Sequence, residues 1–315
     1  MIGHSPTMPA NPEISVVIPV RNEEESVEEL ARQLQAVLPE EHEILFVDDG
    51  STDATWQRLL GLQAPGRIRL VKFRSHTGKS AALMAGFARC TAPVVFTMDG
   101  DLQDDPAEIP AFRAKIAEGY DLVSGWKKVR HDPLHKVVAS RCFNLVMRSA
   151  TGLGLHDMNC GFKCYRAEVA KSLNIYGDQH RFIPVFAAHQ GYRVTEIVVR
   201  HRARRHGRSK YGLSRLAKGF VDLGTVLLRT RFRDRPAHAF GFLALCCGLG
   251  GVALLGLAVS PWLHMAASWA ALAVAVALGA GALAFLALGW AAEFMLHRSA
   301  NDSAILAPTI EDTRD

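Results

Sequence analysis

The sequence predicts an α/β domain followed by two membrane-spanning helices. Short apolar runs rich in β-branched residues alternate with amphipathic segments between residues 14 and 124, which indicates a mostly parallel sheet with helices on both faces. Residues 239–263 and 265–292 contain no Asp, Glu, Lys or Arg. Each of these runs exceeds the roughly 20 apolar residues that cross a bilayer, so the second part is predicted to be a helical hairpin.

The alternating patterns also predict the individual elements of the α/β domain. Strands are expected at residues 14–20, 43–47, 68–73, 93–98 and 121–124. Helices are expected at residues 23–38, 54–62, 79–90 and 106–119. Open α/β sheets bind ligands at the carboxyl ends of their strands, so the polar loops after these strands are expected to share one edge.

Composition along the chain predicts five segments. They are a disordered tail at residues 1–12, the α/β domain at 13–211, an amphipathic juxtamembrane segment at 212–236, the two spans within 237–293 (about 239–263 and 266–292), and a tail at 294–315. A pair of buried helices in a soluble protein is the alternative to the spans. Two long uncharged runs joined by a turn containing Pro261 would be unusual in such a protein.

Charged residues around the apolar runs predict the orientation. Arg229, Arg231, Arg233 and Arg235 precede the first run and Arg298 follows the second, whereas the connection between them carries no Lys or Arg. The positive-inside rule then places both ends, and the α/β domain, in the cytoplasm. The first residues lack a basic segment followed by an apolar one, so no cleaved secretion signal is expected.

The net charge of +5 is unevenly distributed. Residues 200–235 contain twelve Lys or Arg against two Asp. A basic segment beside a membrane span suits anionic head groups and substrate phosphates. Nucleic acid is not expected as a partner, because the chain has two spans and no motif of stacking aromatic residues.

The strongest chemical pattern is Asp99-Gly100-Asp101-Leu102-Gln103, directly after an apolar strand. Two carboxylates separated by one residue can face a common point, and hard oxygen ligands with open positions suit Mg²⁺ or Mn²⁺ on a diphosphate. A solvated acidic loop is the alternative. No Gly-rich dinucleotide motif follows the first strand, and the Thr77-Gly78-Lys79-Ser80 segment lacks the leading glycine of a P-loop because Phe73 stands there.

Three segments together resemble the family 2 inverting glycosyltransferases. They are PVRNEEESV at the first strand, VDDGSTDAT at the second and MDGDLQDDP further on. The similarity is greatest to the polyprenyl-phosphate and dolichyl-phosphate glycosyltransferases, and it covers about residues 14–211 and the trailing hairpin. The resemblance implies a GT-A type domain, a nucleotide diphosphate sugar as donor, a polyprenyl phosphate as acceptor, and Mg²⁺ or Mn²⁺ as cofactor.

The resemblance also implies roles for particular residues. The nucleotide-sugar pocket would contain Pro19, Arg21, Glu23, Asp48, Asp49, Asp99, Arg204, Ser209 and Lys210. The metal would be held by Asp99, Asp101 and Gln103, the last on the resemblance alone. The acceptor phosphate would contact Lys127, Arg130, Lys136 and Ser140, each of which could equally lie on an ordinary solvated helix face.

Two further motifs complete the predicted site. Asp157 opens a segment similar to the Asp-x-x-x-Gly-Phe element of the family, so the catalytic residues are expected to be Asp99, Asp101 and Asp157. A phosphate acceptor is already anionic, so Asp157 is expected mainly to position groups rather than to act as a base. The basic loop at residues 201–212 is predicted to cover the donor diphosphate, or otherwise to be a basic stop before the membrane.

These observations predict an enzyme that transfers a sugar from a nucleotide diphosphate, with UDP favoured, to a polyprenyl phosphate with inversion. A GDP-mannose-dependent mannosyltransferase is the alternative. A processive polysaccharide synthase would need a Gln-x-x-Arg-Trp motif and more spans, and neither is present. A non-catalytic assembly protein that binds lipid or nucleotide sugar is a further alternative, and the sequence leaves homo-oligomer formation open.

Overall fold

A seven-stranded sheet forms the centre of the first of two units, Met1–Val226 and Leu227–Asp315. This computed structural model describes residues 12–64, 67–129, 134–202, 214–233, 235–259 and 265–306. The strands are β1 (Ile14–Val20), β2 (His42–Asp48), β3 (Ile68–Lys72), β4 (Val94–Thr97), β5 (Leu122–Trp126), β6 (Lys163–Arg166) and β7 (Val194–Val198). Their order in the sheet is β3-β2-β1-β4-β6-β5-β7.

Most neighbouring strands are parallel, which confirms the predicted fold class. β1 pairs in parallel with β2 and β4, β2 with β3, and β5 with β7. β6 runs antiparallel between β4 and β5. The sequence patterns did not predict β6 or β7, because β6 has only four residues and β7 is partly exposed along its length, so neither shows a long apolar run.

The helices alternate with the strands and then continue into the second unit. They are α1 (Val27–Val37), α2 (Thr55–Leu62), α3 (Lys79–Phe87), α4 (Ile109–Ala117), α5 (Leu134–Thr151), α6 (Ala167–Ser172), α7 (Ile183–His189), α8 (Ser214–Arg229), α9 (Pro236–Ala258) and α10 (Met265–Leu306). Short 3₁₀ segments lie at Pro106–Glu108 and Gln179–Phe182.

Helices cover both faces of the sheet, as predicted. Val16 on β1 belongs to a buried cluster that includes Leu30 of α1 and Phe112 of α4. Val17 points to the opposite face, because successive side chains of a strand alternate. There Val17 packs closely against Gly86 of α3. A Cβ atom at Gly86 would lie 2.3 Å from the Cγ1 atom of Val17. The sheet is therefore buried between two layers of helices.

A buried carboxylate links the amino-terminal ends of the central strands. Glu43 on β2 accepts hydrogen bonds from the Ser15 hydroxyl, from the Thr91 backbone N–H at 2.6 Å and from Arg69 Nη1 at 2.8 Å. Burial raises the pKa of Glu43, but these hydrogen bonds outweigh burial and the pKa lies below its ordinary value of 4.5. The ionised carboxylate therefore stabilises the fold at neutral pH.

We predict that Glu43→Gln lowers the free energy of unfolding by roughly 2 kcal/mol near neutral pH, because the charged hydrogen bonds are lost. The folded-state pKa is depressed, so this stabilisation is fully present above pH 4.5 and is lost as the pH falls through the lower folded-state pKa. Melting temperatures of the full-length protein in detergent should differ between wild type and variant at neutral pH. They should converge once the pH falls below the folded-state pKa of Glu43. An equal difference at both pH values would contradict the prediction.

The second unit contains two helices that are long and apolar enough to cross a membrane. Their mean hydropathies are 2.2 for Pro236–Ala258 and 2.4 for Ala267–Met295. In the most apolar 18-residue stretch of each helix, only 11% and 6% respectively is buried inside the protein, so neither is the buried core helix of a soluble domain. The two helices pack against each other at small residues, with a Cβ at Gly251 falling 3.2 Å from the Ala275 carbonyl oxygen. The protein is therefore associated with a membrane through this pair.

The observed bounds add detail to the predicted segments. α8 lies where the amphipathic juxtamembrane helix was predicted, and its contact with a bilayer remains a prediction. α10 continues to Leu306, past the predicted end of the second span, so part of the expected tail is helical. The predicted disorder of residues 1–12 falls almost wholly outside the described residues.

Candidate active site

The loops after β1 and β2 lock together at the carboxyl edge of the sheet. Parallel pairing places Val20 opposite Asp48, so the two strands end side by side. The Asn22 backbone N–H donates to the Ser51 hydroxyl at 3.0 Å, and the Asn22 side-chain oxygen accepts from the Thr52 N–H at 2.9 Å. Asn22 adopts a φ of 51°, a left-handed conformation that asparagine tolerates. These bonds hold the two loops in one fixed arrangement.

The predicted nucleotide residues of the first loop lie at this edge. Pro19 is on β1 opposite Val47, and Arg21 and Glu23 follow the end of the strand. The Glu23 backbone N–H donates to the Thr55 hydroxyl at 2.8 Å, which ties the loop to the start of α2. The structure therefore brings these three residues to the sheet edge where a ligand would bind.

The two aspartates after β2 have different surroundings. Asp48 is buried; its Oδ1 accepts from the Ser51 N–H at 3.0 Å, whereas its Oδ2 has no hydrogen-bond partner in the described part of the chain. Asp49 instead braces the loop before α3, accepting from Thr77 N–H at 2.7 Å and Gly78 N–H at 3.0 Å. Asp49 thus shapes the pocket wall, while Asp48 retains an unused acceptor.

Asp99, directly after β4, is held between a lysine and a glycine. Lys79 at the first residue of α3 forms an ion pair with its carboxylate. On the other side, a Cβ at Gly161 would lie 2.5 Å from Asp99 Oδ1, so the carboxylate packs directly against the backbone there. Burial raises the pKa of Asp99, but the positive charges of Lys79 and Lys127 lower it by more. The carboxylate is therefore ionised at neutral pH.

The next two predicted metal ligands are fixed by the loop itself. Asp101 Oδ1 accepts from the Gln103 backbone N–H at 3.2 Å, and Leu102 between them adopts a φ of 61°. The Gln103 side-chain N–H donates to the Arg202 carbonyl at 3.4 Å. Arg202 is tied back in turn, because its backbone N–H donates to the Gln103 carbonyl at 2.9 Å. The loop is thereby joined to the chain that follows β7.

The oxygen donors of Asp99, Asp101 and Gln103 fit a hard divalent cation. Within the described ranges, no three His, Cys, Asp or Glu side chains converge on a point that could hold a metal ion. Two carboxylates and an amide oxygen leave several coordination positions open. Such a set suits Mg²⁺ or Mn²⁺ that is also bound by the diphosphate of a substrate.

Lys127, predicted to contact the acceptor phosphate, lies against a buried aspartate. Its Nζ is 2.7 Å from Asp104 Oδ1, and the two side chains are 12% and 1% exposed. Burial lowers the pKa of Lys127, but the groups around it, first the Asp104 carboxylate and also Asp99, together raise it by more, so the lysine stays charged. Ser140 and Lys136 lie on α5, where the Lys136 side chain is outside the described residues. Arg130 is outside them as well.

Asp157 is buried beside the carboxyl end of β5. The Ser124 hydroxyl of β5 donates to its carbonyl oxygen at 3.4 Å, and Glu196 of β7 accepts from the backbone N–H groups of His156 at 2.8 Å and Asp157 at 3.4 Å. These bonds fix the backbone of the segment that ends in Gly161, which contacts Asp99. Asp157 therefore lies at the start of the segment whose last residue, Gly161, packs against Asp99.

The predicted basic loop lies mostly outside the described residues. Arg204, Ser209 and Lys210 all lie outside the described residues. Its first residues are described, and there His201 forms a short antiparallel bridge with Asp104.

Sequence reasoning missed several residues of this site. Lys79 belongs to the segment that lacks the leading glycine of a P-loop, although a lysine that opens a helix at a ligand-binding sheet edge is itself a signal. His180 follows no such pattern. Its backbone N–H donates to the Ser80 hydroxyl at 3.0 Å, which places it beside Lys79. Glu196 and Arg202 act through contacts that depend on the tertiary fold.

The sequence of the chain matches known proteins over most of its length. Residues 15–173 match Glycosyl transferase family 2. The chain is 40% identical over 253 residues to the dodecaprenyl-phosphate galacturonate synthase of Rhizobium johnstonii, covering 77% of this chain and 74% of that protein. It is 35% identical over 263 residues to the undecaprenyl-phosphate 4-deoxy-4-formamido-L-arabinose transferase of Salmonella dublin, covering 82% and 79% respectively.

Solved structures share the fold. The glucosyl-3-phosphoglycerate synthase from Mycobacterium tuberculosis, crystallised with Mn²⁺, UDP and phosphoglyceric acid, aligns with a TM-score of 0.55 at 22% identity. The alignment covers 70% of this chain and 78% of that chain. The first unit thus has the GT-A fold. The chain belongs to glycosyl transferase family 2, and among its relatives are the two polyprenyl-phosphate sugar transferases named above.

We predict that Gly161→Ala lowers kcat/KM roughly 100-fold, because the added methyl group would displace the Asp99 carboxylate by a substantial fraction of an ångström. The melting temperature should change little, since the displaced group lies at the edge of the sheet. Gly154→Ala is the matched control, because a Cβ there meets nothing within 4 Å. Equal activities of the two variants would show that Asp99 need not occupy its observed position.

Proposed function

We propose that this glycosyltransferase moves a sugar from a nucleotide diphosphate, with UDP favoured, to a polyprenyl phosphate and inverts the anomeric centre. The observation that carries the proposal is the ionised Asp99 carboxylate, which opens the loop that contains Asp101 at the edge where β1, β2 and β4 end. The names of the relatives support a polyprenyl phosphate as acceptor. Mn²⁺ and UDP in the structure of a protein of the same fold support the donor class.

The donor pocket would lie across the loops after β1 and β2. The buried Asp48 Oδ2, which lacks a partner within the described residues, would accept a hydrogen bond from the base or ribose of the donor. The interlocked Asn22 and Ser51 would keep the pocket in one shape before the donor arrives. Pre-organisation of this kind reduces the entropy that binding must offset.

The reaction would be an in-line displacement. A phosphate oxygen of the lipid forms a bond to the anomeric carbon, the bond from that carbon to the diphosphate oxygen breaks, and the nucleoside diphosphate leaves with the electron pair. A divalent cation on Asp99, Asp101 and Gln103 would neutralise negative charge on the leaving diphosphate. The acceptor is already anionic at neutral pH, so no residue needs to remove a proton, and Asp157 would position the reacting groups.

The positive charge of the chain before the first span supports an acceptor that is a membrane lipid phosphate. Residues 200–235 are strongly basic, and this segment leads directly to α9. This basic segment and the residues predicted to contact the acceptor phosphate (Lys127, Arg130, Lys136 and Ser140) would supply positive charge and hydrogen-bond donors to the lipid phosphate. Arg229, Arg231 and Arg233 precede the first span, which supports a cytoplasmic position for the catalytic domain.

We predict that the purified protein transfers label from a radiolabelled UDP-sugar to undecaprenyl phosphate in detergent, and that a chelator abolishes the transfer until Mn²⁺ or Mg²⁺ is restored. A panel of UDP- and GDP-sugars identifies the donor. If only GDP-mannose donates its sugar, the protein is the alternative mannosyltransferase and not a UDP-sugar transferase. Binding of nucleotide sugars without transfer to any polyprenyl phosphate would contradict the proposed reaction.

We predict that Asp101→Ala lowers kcat by a factor of about 100 or more, because the cation loses a ligand and charge on the leaving group is less well neutralised. Glu118→Ala is a suitable control, since it removes an exposed carboxylate that pairs with Lys115 on the helical layer. Circular dichroism should show the same fold for both variants. Full activity of Asp101→Ala would contradict the metal assignment.

A further inference from the structure

The ammonium group of Lys79 lies against the carboxylate of Asp99, which is one of the predicted metal ligands. Lys79 opens α3, and its ion pair with Asp99 joins the loop after β3 to the loop after β4. Both side chains are partly exposed, 27% for the lysine and 33% for the aspartate, so the pair lies at the surface of the pocket. A solute that enters the pocket can therefore compete for either partner.

A divalent cation and an ammonium group compete for the same carboxylate. Their like charges repel each other strongly at contact distance in a partly buried site. A cation bound to Asp99 would therefore have to displace Lys79 or tolerate it nearby. The predicted metal ligands include only two carboxylates. A metal ion that binds without a diphosphate therefore has little negative charge nearby to offset that repulsion.

Two of the neighbouring carboxylates already have other partners. Asp49 accepts hydrogen bonds from the Thr77 and Gly78 backbone and lies 2.7 Å from His76 Nδ1. Asp104 pairs with Lys127. A lysine that leaves Asp99 therefore gains most from an anion that arrives with the metal, and the diphosphate of the donor is such an anion.

We propose that Lys79 is an internal counter-ion that makes metal binding at Asp99 and Asp101 conditional on a nucleoside diphosphate. This inference rests on the proposed function, because it assumes that donor and metal share the site. Without nucleotide, the ammonium group holds the Asp99 carboxylate and keeps the affinity for a metal low. With nucleotide, the ammonium transfers to the diphosphate and the carboxylate becomes available. Metal and donor then bind cooperatively, each strengthening the other by the same factor.

The test measures binding of Mn²⁺ to full-length protein in detergent by the electron paramagnetic resonance signal of the free ion, without nucleotide. Lys79→Met should bind Mn²⁺ at least tenfold more tightly than wild type. Lys79→Arg, which keeps the charge and can keep the ion pair, should resemble wild type. Lys115→Met controls for net charge, because this exposed lysine pairs with Glu118 on the helical layer.

Calorimetric titration with UDP at several Mn²⁺ concentrations then measures the coupling between the two ligands. The strengthening of UDP binding by Mn²⁺ should be at least tenfold smaller in Lys79→Met than in wild type, after correction for the Mn²⁺–UDP complex in solution. Unchanged Mn²⁺ affinity in Lys79→Met, or an equal gain in Lys115→Met, would overturn the inference. If wild type and all variants fail to bind UDP and Mn²⁺ together, the proposed function itself fails.

Discussion

The structure depends on keeping a carboxylate charged at the end of a buried strand. β4 is central in the sheet, so Asp99 emerges among apolar layers that disfavour its ionised form. Lys79 and Lys127 supply the positive charge that reverses this preference, and Gly161 leaves room for the carboxylate because it has no side chain. The lysines come from the start of α3 and the end of β5. The sheet topology is therefore needed to assemble the charges around Asp99.

The same topology explains why the surrounding loops are braced so heavily. Parallel strands that end together place several polar loops at one edge, where each would be mobile alone. Asn22 joins the first loop to the second, and Asp49 joins the second to the segment before α3. Arg202 joins the loop at Asp99–Gln103 to the chain after β7. A nucleotide would thus meet a wall that is already formed. Because such loops need not become ordered on binding, they can hold the reacting groups in position at a smaller entropic cost.

The sequence alone was sufficient for the fold class, the first five strands, the membrane helices and the position of Asp99 and Asp101 directly after a buried strand. These features depend on local patterns: apolar runs, charge-free segments and Asp-x-Asp after a strand. The contacts of Lys79 and Glu196 could not be predicted, because their partners are distant in sequence and are brought close only by strand order. For Lys127 the resemblance implied a phosphate contact, with a solvated helix face as the alternative, whereas the structure adds a buried partner, Asp104.

The most direct test of this account is a structure of the protein with UDP and Mn²⁺, with the metal located by its anomalous scattering. We expect one Mn²⁺ peak that is bound by both Asp99 and Asp101 and shared with the diphosphate of UDP. The base should lie over the loops after β1 and β2. UDP at another edge of the sheet, or a metal that contacts neither aspartate, would contradict it.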